Sequence, residues 1–162
     1  MIDSWTGADL ARITTGTWDK VPPNSAFCNI EIDHRKLGKT GIFVALAGTS
    51  HNGHDFVQAL SASQCAIVET IQENATAPQL QVGHPLNALE ELARAAMAQT
   101  TAKKIAITGS VGKTGTRAAL SYLLNAYGIC HATKGNLNNH IGFTFGASFH
   151  YEGLFHFLVM LK

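Results

Sequence analysis

The residues most able to do chemistry in this 162-residue chain sit in one short run, Thr108-Gly109-Ser110-Val111-Gly112-Lys113-Thr114-Gly115. Glycines in such a loop let backbone N–H groups converge on phosphate oxygens, and a helix opening behind them adds its partial positive charge. Lys113 would reach the β- and γ-phosphates as a point charge, and the Thr114 hydroxyl would ligate the Mg²⁺ that bridges them. The run is the shorter GxxGKT form, because the longer P-loop template asks for a glycine where Ile107 stands. Two competing readings are a simple helix-capping loop and a dinucleotide fingerprint on Gly109, Gly112 and Gly115. The fingerprint has the wrong first spacing and encloses a lysine and a threonine.

A phosphate loop needs a strand before it and a helix after it, and both are legible. Lys103–Thr108 is a short apolar run opened by two lysines. Leu120, Leu123, Leu124 and Tyr127 fall at i, i+3, i+4 and i+7, one face of a helix that Gly128 would end. Upstream, Ala26–Ile32 alternates like a half-buried strand, Gly41–Leu46 and Cys65–Thr70 are apolar enough for buried strands, and Phe56, Val57 and Leu60 suit a short helix between them. Gln72–Pro85 is polar, holds two prolines, and is the natural linker, with the join near Gly83. Leu86, Leu89, Leu92, Ala93, Ala96 and Met97 keep helical spacing, with Asn87 and Glu90 as a capping box. The expected fold class is therefore α/β: a small N-terminal α/β domain over 1–82, then the beginning of a mainly parallel P-loop domain over 83–162.

Composition narrows the function classes. The chain is 46% hydrophobic and 14% charged, with a net charge of +1, so it has material for a core and no global pull toward nucleic acid or anionic lipid. Cys28, Cys65 and Cys130 are odd in number and lack CxxC spacing, which argues for a reducing, cytoplasmic setting. Met1–Leu10 carries Asp3 and Asp9 and no apolar core of a signal peptide. The longest apolar run, Leu154–Leu161, is interrupted by His156 and is too short to span a bilayer, so no membrane insertion is expected.

IAITGSVGKTGT followed by TKGNLNNHIG, together with the upstream IEIDHRKLGKTGIFVALAGTSHNGHDF, resembles the Mur ligases, most of all those that add D-alanyl-D-alanine to UDP-muramoyl tripeptide. The resemblance runs from about Cys28 to Gly142. It implies that the first domain grips the UDP-sugar end of the substrate and that the second binds ATP and Mg²⁺. The reaction it implies phosphorylates the substrate's terminal carboxylate, after which the dipeptide amine attacks the acyl phosphate. Lys113 is then the catalytic residue, Gly109 to Gly115 the ATP loop and Thr114 the magnesium ligand. Asp33 and Arg35 match the ends of a uridine-side Asp-Ser-Arg triplet, and Asn136, Asn138, Asn139 and His140 match a stretch lining the cleft between nucleotide and substrate.

Several positions depart from the family pattern. His34 replaces the triplet's serine, Gly115 a usual threonine or serine, Ser63-Gln64 a Gly-Ala pair and Thr144 a proline. Plainer readings stand beside the functional ones. Asp33 and Arg35 also suit a surface ion pair, NLNNH also suits a turn, and His51 and His54 suit a hydrogen-bonded turn better than a metal site. From Phe143 onward six aromatics crowd an uncapped tail, Phe143 to Lys162. The expectation from that tail is a truncated or frame-shifted ligase, inactive in ligation alone, whose intact part could be a non-catalytic UDP-sugar-binding module.

Overall fold

GIFVA and CAIV are continuous apolar runs with no polar alternation, the pattern of parallel strands covered on both faces. In the computed structural model they are the middle of a five-stranded sheet. The structure describes residues 5–24, 27, 29–48, 51–99, 103–107, 110–127, 130–132 and 155–158. These fall into two compact units, Asp3–Leu92 and Ala93–Lys162.

The first unit opens with helix α1 (Gly7–Thr14), nucleated by a capping box in which the Thr6 hydroxyl accepts from Asp9 N–H and the Asp9 carboxylate accepts from Thr6 N–H. Strand β1 (Thr17–Trp18) follows, then β2 (Asn29–Glu31), β3 (Gly41–Val44), β4 (Cys65–Val68) and β5 (Gln79–Gln81). The sheet order is β1-β5-β4-β3-β2, parallel from β2 to β5 with β1 antiparallel on β5. Register aligns Ile30, Ile42 and Cys65 in one row and Val44, Ile67 and Leu80 in another, all buried. On the other face Phe43, Ala45, Ala66 and Val68 join Val57, Leu60, Ala75 and Ala77 in a single cluster.

The expected short helix near Phe56 is a 3₁₀ helix, Gly53–Ala59. Gly53 has a steric reason to be glycine: a Cβ there would lie 2.7 Å from Leu46 N and 2.9 Å from Ala45 C, both backbone atoms that cannot step aside.

Two expectations need correcting. The polar stretch 72–85 holds β5 instead of a pure linker, because its central polar residue is fully paired. Gln79 is buried, its N–H donates to Asp19 Oδ1 at 2.6 Å, its Nε2 donates to Gln72 O, and its Oε1 accepts from Gln72 N. The next helix, α2 (Pro85–Gln99), begins at Pro85, where a missing N–H costs nothing. Asn87 therefore lies inside the first turn and Asn87–Glu90 is not the cap. Ala88, Leu89, Leu92, Ala93 and Ala96 are the buried stripe of α2, and the division between the units falls within this helix.

The second unit holds β6 (Lys103–Ala106), α3 (Lys113–Asn125), β7 (Cys130–His131) and β8 (Phe155–Leu158) in a parallel sheet of order β6-β8-β7. Phe155–Leu158 lies within the stretch 143–162 expected as an atypical tail. It is the central strand, paired in register with Lys103–Ala106 on one side and Cys130–His131 on the other. Among the described residues no helix is long and apolar enough to cross a membrane. Gly128 lies outside the described residues.

Candidate functional site

The glycine loop connects β6 to α3, as its sequence required. Gly112 is the N-cap of α3 with φ +79°, a left-handed conformation that glycine adopts without steric cost. The first intrahelical bond runs from Thr116 N–H to Gly112 O at 2.9 Å, so the amides of Lys113, Thr114 and Gly115 precede the α-helical ladder. No acidic side chain occupies this first turn to neutralise the positive helix end. Space around the glycines is open: nothing lies within 4 Å of a Cβ built on Gly112 or Gly115.

Lys113 is half-buried, with Nζ 3.4 Å from Ser110 O, which folds its stem back over the loop. Ser110, Val111 and Thr114 are exposed, Val111 at 88%. The Thr114 hydroxyl is exposed and makes no hydrogen bond to the described residues. One hard oxygen in the first turn of a helix fits a magnesium ion that keeps most of its waters and takes the rest of its ligands from bound phosphates. Gly109, Asn136, Asn138, Asn139 and His140 lie outside the described residues.

The second station is in the first unit, directly after β2. Asp33 caps a 3₁₀ turn, His34–Lys36, by accepting from Arg35 N–H at 3.2 Å. The Arg35 guanidinium grips both Asp33 oxygens, Nε to Oδ1 at 2.8 Å and a terminal nitrogen to Oδ2 at 2.9 Å. Lys36 Nζ adds a second positive group at 3.9 Å. Hydrogen bonding from Arg35 holds the Asp33 carboxyl down at about 2, and the carboxylate in turn raises the Arg35 pKa. Arg35 is 77% exposed. Only two of its five N–H donors are spent on Asp33. Beside them Glu31, half-buried, has its pKa raised by desolvation although Asn29 donates to it.

Position explains why a ligand would come here. Asp33, His34 and Arg35 leave the carboxyl end of β2, and in open α/β sheets ligands bind beyond the carboxyl ends of the strands. His54 supports the same edge. Its Nδ1 lies 2.9 Å from Asn52 Oδ1 and its Nε2 accepts from Glu69 N–H at 3.0 Å, so both ring nitrogens are occupied in a buried network at the end of β4. Sequence reasoning did not foresee the ring of His34, which stacks on Phe56 with centroids 4.6 Å apart and planes 13° off parallel, and meets Phe43 edge-on at 6.2 Å. The available signal was a ring at 34, where the triplet pattern has a hydroxyl, with HDF following twenty residues later.

No family model matches the chain. A UDP-N-acetylmuramoyl-tripeptide–D-alanyl-D-alanine ligase of Rickettsia prowazekii is 36% identical over 123 residues, 74% of this chain and 27% of that protein. A crystal structure of MurF from Acinetobacter baumannii superposes with a TM-score of 0.85 at 32% identity, covering 99% of this chain and 36% of that one. This chain belongs to the Mur ligase family. It spans about a quarter of the length of the curated Mur ligases it matches. MurF ligase from Thermotoga maritima, crystallised in complex with ADP, shares the fold at a TM-score of 0.64 and 24% identity.

Proposed function

We propose that this chain carries the UDP-sugar-gripping domain and the ATP-phosphate loop of a cytoplasmic, ATP-dependent amide ligase of peptidoglycan precursor synthesis. Its substrates would be UDP-muramoyl tripeptide, D-alanyl-D-alanine and ATP, with Mg²⁺. The observation that carries the reading is the loop itself: Gly112 at φ +79° opens α3 directly behind a parallel strand, with Lys113 and Thr114 as the first two helical residues. The relatives' names support the substrate pair, and the ADP complex of the Thermotoga MurF supports the nucleotide. We place the domain join at 82/83 and assign Asn136, Asn138, Asn139 and His140 to the cleft.

In this reading the amides that open α3 bind phosphate oxygens, and Lys113 holds the transferring phosphoryl group by its charge. Thr114 would hold Mg²⁺, which supplies charge neutralisation when bound. Arg35 and Lys36 offer cationic donors to the UDP diphosphate, while Asp33 keeps the Arg35 fork oriented. The test is titration of the protein with Mg-ATP and with UDP, followed by ADP release in the presence of both substrates. Binding of both nucleotides, with no turnover above a Lys113→Ala control from this chain alone, is the expected result; failure to bind Mg-ATP would overturn the loop assignment. A second reading, a non-catalytic UDP-sugar-binding module, is favoured by the first unit having its own sheet buried on both faces. UDP binding without ATP binding would select it.

A further inference from the structure

The turn that presents Arg35 has few moorings. It spans three residues, none of them fully buried, and its own backbone bonds are Lys36 N–H to Asp33 O at 2.9 Å and Leu37 N–H to His34 O at 3.3 Å. Two side chains tie it to the domain. Leu37 packs on the apolar cluster from one end, and His34 lies flat on Phe56, which packs on that same cluster, with Phe43 of the cluster meeting its edge.

We propose that His34 is a positioning residue, whose stack on Phe56 fixes the turn so that the Arg35 fork is held out for the diphosphate of a uridine nucleotide. The inference rests on the uridine-side reading given above and adds how this chain achieves it. A serine at 34 offers a hydroxyl but no ring, so this chain has exchanged a polar contact for an aromatic one. Because Asp33 both caps the turn and grips Arg35 through two hydrogen bonds, the direction of the guanidinium follows the direction of the turn. Any loosening at His34 is felt at Arg35 through the backbone of the turn they share.

The full chain is titrated with UDP as wild type, His34→Ala, His34→Phe, Arg35→Ala and the His34→Ala/Arg35→Ala double variant. The alanine at 34 is expected to weaken UDP binding roughly fivefold to tenfold, the worth of one aromatic stack. The phenylalanine, which keeps a flat ring and loses the nitrogens, stays within about twofold of wild type. In the Arg35→Ala background the loss at 34 disappears, since there is no fork left to position. Exchange of the Arg35 Nε–H, followed by NMR without ligand, quickens in His34→Ala and is unchanged in His34→Phe. The proposal is overturned if the Ala variant binds UDP as well as wild type, if the Phe variant is as weak as the Ala variant, or if the two losses add. Should wild type not bind UDP at all, the uridine reading falls, and the Nε–H exchange still decides whether His34 positions Arg35.

Discussion

Gly112 and Gly115 lie three residues apart, both with open space where a side chain would go, yet an alanine should act oppositely at the two. At Gly112 the backbone has φ +79°, where an L-residue costs roughly 1–2 kcal/mol, and no neighbour can offset or aggravate that strain. Gly115 occupies the first turn of α3 without a positive φ, so alanine there recovers helix propensity, up to about 1 kcal/mol in a helix interior and less near an end. The pair should therefore differ by about 2 kcal/mol, close to thirtyfold in local opening. The Thr116 amide, bonded to Gly112 O, reads that opening directly. Its hydrogen-exchange protection should fall about fivefold to thirtyfold in Gly112→Ala and rise a few-fold in Gly115→Ala. Mg-ATP affinity should fall in the first variant only. If both variants shift Thr116 protection in one direction, the left-handed cap is not what shapes the loop, and the phosphate-cradle argument fails with it.

His54→Ala should lower stability by about 2–4 kcal/mol in urea titration, because it strips a partner from the Glu69 amide as well as from Asn52; a change under about 0.5 kcal/mol would mean that water replaces the ring freely. Asp33 has a folded pKa near 2, below its unfolded value, so the contribution of its pairing with Arg35 is complete above about pH 4 and is lost as pH falls through 2. Carboxyl NMR titration should place the midpoint near 2 in wild type and near the ordinary aspartate value in Arg35→Ala. Cys65 is buried and its thiol pKa is pushed far up by desolvation. It should stay unlabelled by a thiol reagent in native protein and react only after unfolding.

Apolar runs revealed β3 and β4 because a doubly covered parallel strand tolerates no polar residue, and the phosphate loop was legible because its glycines and lysine have few other uses together. Strand β5 was hidden: Gln79 looks like a solvent residue until Asp19, sixty positions away, is seen to satisfy it. The α2 start was misplaced because a plausible Asn87–Glu90 box lay two residues inside a helix that Pro85 opens. On α3 the Leu120, Leu123, Leu124, Tyr127 face was found by its spacing, yet Leu123 and Tyr127 are 58% and 84% exposed; periodicity identifies a face but not what covers it. The His34 ring carried no signal at short range because its partner Phe56 arrives from the other side of β3.

The order β6-β8-β7 has a consequence for how the chain is made. The two flanking strands do not touch, and the strand that joins them is the latest in sequence. The first unit has the five strands of its sheet by Gln81, whereas among the described residues the second has no paired strands until Phe155–Leu158 leaves the ribosome, roughly 4 to 15 s later at ordinary rates of synthesis. Until β8 follows, β6 and then β7 each present an unpaired edge among the described strands, the kind of edge that favours aggregation.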